Sequence, residues 1–232
     1  MKNDYIVLQV RLSSKRLPGK LLLPLKGISI FEHILMRLKT AKYADGIVVA
    51  TTADTEPSIK HAADKYGVLV LIGSEEDVLS RYVCAVKKYR IRNVIRATGD
   101  NPLVDIDYLD RSLILHDNHG ADLTTFPLLA YGTGVEVIRG EVLLEVDSLT
   151  SDPVEREHIT QYVYRHAHDF HIVQGTPDRE HTRPDIRLTV DTEEDYRRMV
   201  DIYESLYKGM PIRLADVIAY VDQKWRKRGT LN

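Results

Sequence analysis

The chain has 232 residues, of which 44% are hydrophobic, with 32 lysines and arginines against 34 aspartates and glutamates. That length supports one large α/β domain or two small ones, and the formal charge of −2 excludes a general nucleic-acid binder, which carries a basic excess. The single cysteine, Cys84, excludes a disulfide framework and a cysteine-rich zinc site, and no apolar run reaches the length of a membrane span.

The first residues, Met1-Lys-Asn-Asp-Tyr, enter a short strand without the apolar region of a signal peptide, so a cytoplasmic protein is expected. The strand, residues 5–10, runs into a loop that holds Arg11, Lys15, Arg16 and Lys20 beside Ser13, Ser14 and a Pro-Gly turn. Cations this close repel unless an anion sits among them, and a polyphosphate is the natural occupant. The loop is no P-loop, because Ser14 and Leu21 stand where that motif needs glycine and serine or threonine.

Ser29 with Glu32 predicts a capping box ahead of Ile34, Leu35 and Leu38. A strand follows at 46–52, then a helix with Pro57 near its start that ends at Tyr66 and Gly67, then a strand at 68–73. Ser74 and Asp77 open a helix whose Val78, Tyr82, Ala85 and Val86 form one apolar stripe, with Cys84 a packing residue. The strand at 93–98 delivers Gly99-Asp-Asn-Pro102. Asp105 and Asp107 read as a helix cap rather than as a metal motif.

The second half is less regular. Strands are expected at 121–126 and 134–138, a helix start at Asp152-Pro153 with Glu155, and a strand at 186–190 that stops at Asp191. Thr192 with Asp195 caps a long helix through Tyr207. His166, His168 and His171 straddle a helix end, a poor frame for three zinc ligands. Lys224-Trp-Arg-Lys-Arg228 reads as a solvated basic tail.

Alternating strands and helices predict a three-layer α/β/α sandwich on a mainly parallel mixed sheet. In such sheets ligands lie beyond the carboxyl ends of the strands, so the cationic loop, Asp100 and Asp191 could share one crevice. Arg11, Lys15, Arg16 and Lys20 would supply positive charge, and Asp100 and Asp191 would supply hard oxygen ligands for Mg²⁺. The combination points to phosphoryl or nucleotidyl transfer. Taken singly, each strand-end aspartate is equally well read as a cap.

Gln9-Val-Arg-Leu-Ser-Ser-Lys-Arg-Leu-Pro-Gly-Lys20 resembles the signature of cytidylyltransferases that activate sugars as CMP derivatives, in the branch named for spore coat polysaccharide biosynthesis protein F. Five further segments match in order, at 48–52, 73–82, 95–102, 156–160 and 187–191. Acylneuraminate and 3-deoxy-manno-octulosonate cytidylyltransferases are relatives of this branch. The resemblance implies a Rossmann-like nucleotide-diphospho-sugar transferase fold over residues 1–232, with an irregular sugar-binding and dimerisation part around 121–185. It implies a homodimer that uses CTP, Mg²⁺ and a sugar, an ulosonic acid or related surface-polysaccharide sugar.

Residue by residue, the resemblance implies that Arg11, Ser14, Arg16 and Lys20 bind the triphosphate, with Asp100 and Asp191 on the metal. Ser74, Asp77 and Arg81 fall near base and ribose, and Glu136, Arg156, Glu157 and His158 in the sugar pocket. Read without the resemblance, Ser74 and Asp77 are caps and Asp77–Arg81 is an i,i+4 surface pair. The loop departs from the family pattern at Val10, in place of a small alanine, and at Ser13, in place of a glycine free to adopt positive φ. Two other readings compete: a glycosyltransferase that relies on Asp105 and Asp107, and a binding module without catalysis.

Overall fold

The computed structural model describes residues 3–224. In chain order its elements are β1 (Asp4–Gln9), β2 (Pro24–Leu25), β3 (Ile28–Ser29), α1 (Ile30–Leu38), β4 (Gly46–Thr51), α2 (Glu56–Lys65), β5 (Leu69–Ile72), α3 (Val78–Tyr89) and β6 (Asn93–Thr98). There follow α4 (Ile106–His119), β7 (Leu123–Thr125), β8 (Glu136–Arg139), α5 (Gly140–Leu149), α6 (Pro153–Glu157), α7 (Gln161–Arg165), β9 (Ile172–Gln174), α8 (Glu193–Leu206) and α9 (Leu214–Lys224).

The strands order as β5-β4-β1-β6-β8-β7-β9. β1 runs parallel to β4 and β6, whereas β8 is antiparallel to both β6 and β7. β2 and β3 form a separate small hairpin. Side chains alternate across the pleat, so β1 feeds two cores. Ile6, Leu8 and Val10 pack among residues of α1, α4, α8 and α9, while Val7 packs with residues of α3, α5 and α7. Burial on both faces is why the early strands read as short apolar runs. The expected α/β/α layering on a mixed, mainly parallel sheet is the observed one.

Caps end the helices largely where the sequence places them. The Ser29 side chain accepts from Glu32 N, and Thr192 and Asp195 form a reciprocal capping box at α8. Asp105 accepts from Tyr108 N, and Asp152 accepts from Val154 N.

Three expectations change, and a fourth is left untested. The 186–190 segment is no strand, because among the described residues its ladder pairing is limited to one isolated bridge between Arg187 and the loop residue Tyr131. Tyr131 N donates to Ile186 O and Leu188 N to Tyr131 O, and Val190 N then hooks onto Asp100 O at 2.8 Å. Asp77, not Ser74, caps α3, and the Ser74 hydroxyl accepts from Asp77 N. Cys84 is exposed rather than packed, on the outer side of α3. The basic end around Trp225 lies outside the described residues.

Gly140 shows how tightly α5 joins the sheet. Its N–H donates to Arg92 O at 2.7 Å, and an added Cβ would lie 2.3 Å from Ile91 O. Backbone cannot retreat as a side-chain tip can, so Gly140→Ala should cost about 1–3 kcal/mol. A thermal midpoint equal to wild type would contradict this packing account.

Candidate active site

The cationic loop is held by its backbone. Leu12 N donates to Thr55 Oγ1 at 3.0 Å, and the amides of Ser14 and Gly19 both donate to Leu12 O. Gly19 takes φ 68° and leads into a 3₁₀ turn, Lys20–Leu22, that buries Leu21. Ser13 is outside the positive-φ residues, so the loop spends its left-handed conformation at Gly19 and a serine at 13 is unstrained. Val10 is buried, and a Cβ on Gly99 would sit 2.8 Å from its Cγ1. The bulk at Val10 is thus accommodated by the glycine on the adjacent strand end.

Three distant segments meet beyond the sheet: the loop after β1, the residues after β6, and Asp191, whose preceding segment belongs to no strand. Lys20 Nζ donates to Asp191 Oδ1 at 3.0 Å and to Val190 O at 2.6 Å, and lies 3.7 Å from Asp100 Oδ2. Arg16 reaches the same Asp191 oxygen at 3.0 Å, and Arg187 reaches its other oxygen at 2.5 Å. Asp100 Oδ1 also accepts from Thr98 Oγ1 at 2.5 Å. Burial works to raise the Asp191 carboxyl, but the hydrogen bond and charge of Lys20, with Arg16 and Arg187, hold it below the usual carboxylate range. Two carboxylates that share one ammonium form a hard-oxygen pair, a donor set that suits Mg²⁺ completed by phosphates and water.

Arg16, Lys20, Asp100 and Asp191 line a cleft of about 740 Å³ that also takes in Gln9, Arg11, Ser14, Arg81, Arg96, Glu136, Glu157, His158 and Thr160. On its β8 side, Glu136 accepts from Arg96 at 2.7 Å, Thr160 Oγ1 at 3.0 Å and Tyr164 OH at 2.8 Å. Burial works to lower Arg96, yet the carboxylate of Glu136 beside it holds the guanidinium above its ordinary value. Desolvation and the same carboxylate push the Tyr164 phenol up, so it stays a donor. Arg11 pairs with Glu157 at 2.9 Å across the cleft.

Three predicted site residues behave otherwise. Ser74 and Asp77 are absent from the cleft lining and serve the start of α3. Arg156 is likewise absent: its guanidinium donates to Asp77 and Asp147 at 2.8 Å each and to Thr150 O at 3.0 Å. It ties α6 to the starts of α3 and to α5, because it points away from the neighbouring Glu157 and His158.

Arg81 is no surface partner of Asp77. It is 2% exposed, it lines the cleft, and among the described residues its Nε and Nη1 have no hydrogen-bond partner. Burial lowers its pKa, and nearby Arg11 adds to the effect. Gln9, Arg96, Thr160 and Tyr164 were not predicted as site residues. The alternation of β1 and β6 could have found Gln9 and Arg96, since both are polar residues inside otherwise apolar strands. Asp105, the residue a glycosyltransferase would need, is buried and spent on capping α4. His166 stacks on Tyr162 at 4.0 Å.

Comparison with known proteins gives a consistent answer. Residues 5–216 match the cytidylyltransferase family model. An uncharacterized protein of Methanocaldococcus jannaschii is 34% identical over 93% of this chain and 88% of its own length. The spore coat polysaccharide biosynthesis protein SpsF of Bacillus subtilis is 28% identical over 96% of this chain and 95% of its own. The structure of a cytidylyltransferase from Leptospira borgpetersenii superposes with a TM-score of 0.88 at 30% identity, covering 100% of this chain and 97% of that one. With the cleft at the carboxyl ends of its parallel strands and a match along nearly its whole length, the chain belongs to the cytidylyltransferase family of nucleotidyltransferases.

Proposed function

We propose that the enzyme transfers CMP from CTP to a sugar hydroxyl and releases pyrophosphate. The observation that carries this reading is Lys20, whose ammonium touches both Asp100 and Asp191 at the foot of the cationic loop. Arg11, Ser14, Arg16 and Lys20 would bind the triphosphate. The sugar hydroxyl oxygen bonds to the α-phosphorus as the bond to the β-phosphate oxygen breaks, and the hydroxyl proton passes to water. Lys20 and Arg16 neutralise the charge that builds on the departing pyrophosphate. Asp100 and Asp191 would hold Mg²⁺, which when bound neutralises phosphate oxygens and orients the attacking group.

Arg81, buried with two unpartnered donor nitrogens, suits the acceptor atoms of the base or ribose. Glu136, Glu157 and His158 suit a polyhydroxylated sugar on the β8 side. The likeness to SpsF supports a sugar of a surface polysaccharide, and the family resemblance extends to ulosonic acids.

The test is pyrophosphate release from CTP and Mg²⁺ with a panel of sugars that includes N-acetylneuraminate and 3-deoxy-manno-octulosonate. Sustained release with at least one sugar is expected, and Asp100→Ala should remove it while the far-UV dichroism stays native. Unchanged rates in that variant would take Asp100 out of the mechanism.

A further inference from the structure

Gln9 ends β1 at the place where the strand order changes direction, with Ala50 of β4 on one side and Thr98 of β6 on the other. Crevices open at such switch points. Its side chain lines the cleft. Its amide oxygen accepts from Tyr82 OH at 3.0 Å and from Arg96 Nε at 3.4 Å. A guanidinium can only donate, so the amide cannot turn over: the oxygen must face inward. The two N–H donors of Nε2 therefore face the cleft, and among the described residues they have no hydrogen-bond partner. The anchors are themselves fixed, since Tyr82 is buried and Arg96 is clamped by Glu136 at 2.7 Å.

The pleat sets these donors apart from the contact between Lys20 and Asp191. Val10, Leu21, Leu188 and Val190 belong to one core, and they carry Lys20 and Asp191 with them. Gln9 projects to the opposite face, beside Tyr82, Arg96 and Glu136, and so toward Thr160 and Tyr164. That is the side away from the triphosphate loop's contact with Asp191. We infer that Gln9 is a specificity-determining contact for the sugar, its Nε2 donating to an acceptor oxygen of that substrate. The inference rests on the transferase reading above. A site built to donate to an oxygen rejects a substrate that lacks one far more strongly than an apolar pocket rejects a missing methylene.

The test is steady-state kinetics with CTP, Mg²⁺ and whichever panel sugar the wild type turns over, in Gln9→Glu and Gln9→Met. In Gln9→Glu the inward oxygen still meets Arg96 and Tyr82, while the cleft-facing atom changes from donor to acceptor, so folding is preserved. Both variants should raise the sugar KM about 10- to 100-fold, leaving the CTP KM within about twofold of wild type. Thermal melting serves as the control, and Gln9→Glu carries the test alone if Gln9→Met melts early. Unchanged sugar KM, or a rise confined to the CTP KM, overturns the assignment of Gln9 and leaves the transferase standing. No pyrophosphate release by the wild type with any panel sugar overturns the transferase reading and this inference with it.

Discussion

Asp191→Asn should lower the rate of pyrophosphate release by about 10²- to 10³-fold, the usual cost of losing one preorganised electrostatic group from a reaction centre. Asparagine keeps the shape and removes the charge on which Lys20, Arg16 and Arg187 converge. The same change should lower the thermal midpoint at neutral pH, because three cations lose their shared counter-charge. The pH dependence gives the sign. A carboxyl held below its unfolded value contributes stability above the ordinary carboxylate range and loses it as pH falls through the lowered value. The gap in midpoint between wild type and Asp191→Asn should therefore be widest near about pH 7 and close toward about pH 2. A gap that widens in acid would mean that Asp191 is not the lowered group.

Arg81→Met is expected to move stability and binding in opposite directions. The wild-type side chain buries a guanidinium with two nitrogens unpartnered among the described residues, an arrangement that costs about 1–3 kcal/mol. Methionine matches the stem and removes the cost, so the variant should melt at the wild-type temperature or higher. If those donors exist for the nucleotide, the CTP KM should rise about 10- to 100-fold. Differential scanning calorimetry and kinetics on one preparation check both. A destabilised variant with an unchanged CTP KM would make Arg81 a packing residue and nothing more.

Much of this architecture was legible in the residues. Runs such as Ile47, Val48 and Val49 could only be strands covered on both faces, and Ser29, Asp152 and Thr192 marked helix starts with the right side-chain chemistry. The meeting of Lys20 with Asp100 followed from where β1 and β6 end, whereas Asp191 arrives on an extended segment that belongs to no strand. Arg156 was misplaced because sequence adjacency to Glu157 and His158 says nothing about direction: on a short helix, neighbours diverge by a large angle, and this one points back to Asp77. The strand expected before Asp191 failed for a related reason. Its residues alternate correctly, but a strand needs a partner, and Tyr131 offers a single bridge from a loop. The competing reading of Arg81, an i,i+4 surface pair with Asp77, fails because that spacing predicts a surface pair only when the helix face is wet, and this face lies under Gly73.

The like-charge crowding in the loop is already resolved inside the free chain: Arg16 and Lys20 rest on Asp191, and Arg11 rests on Glu157. Association with an anion would then be an exchange of partners. An anion that enters the groove must compete with carboxylates already seated on its cations, so how readily it binds depends on what each displaced carboxylate meets next.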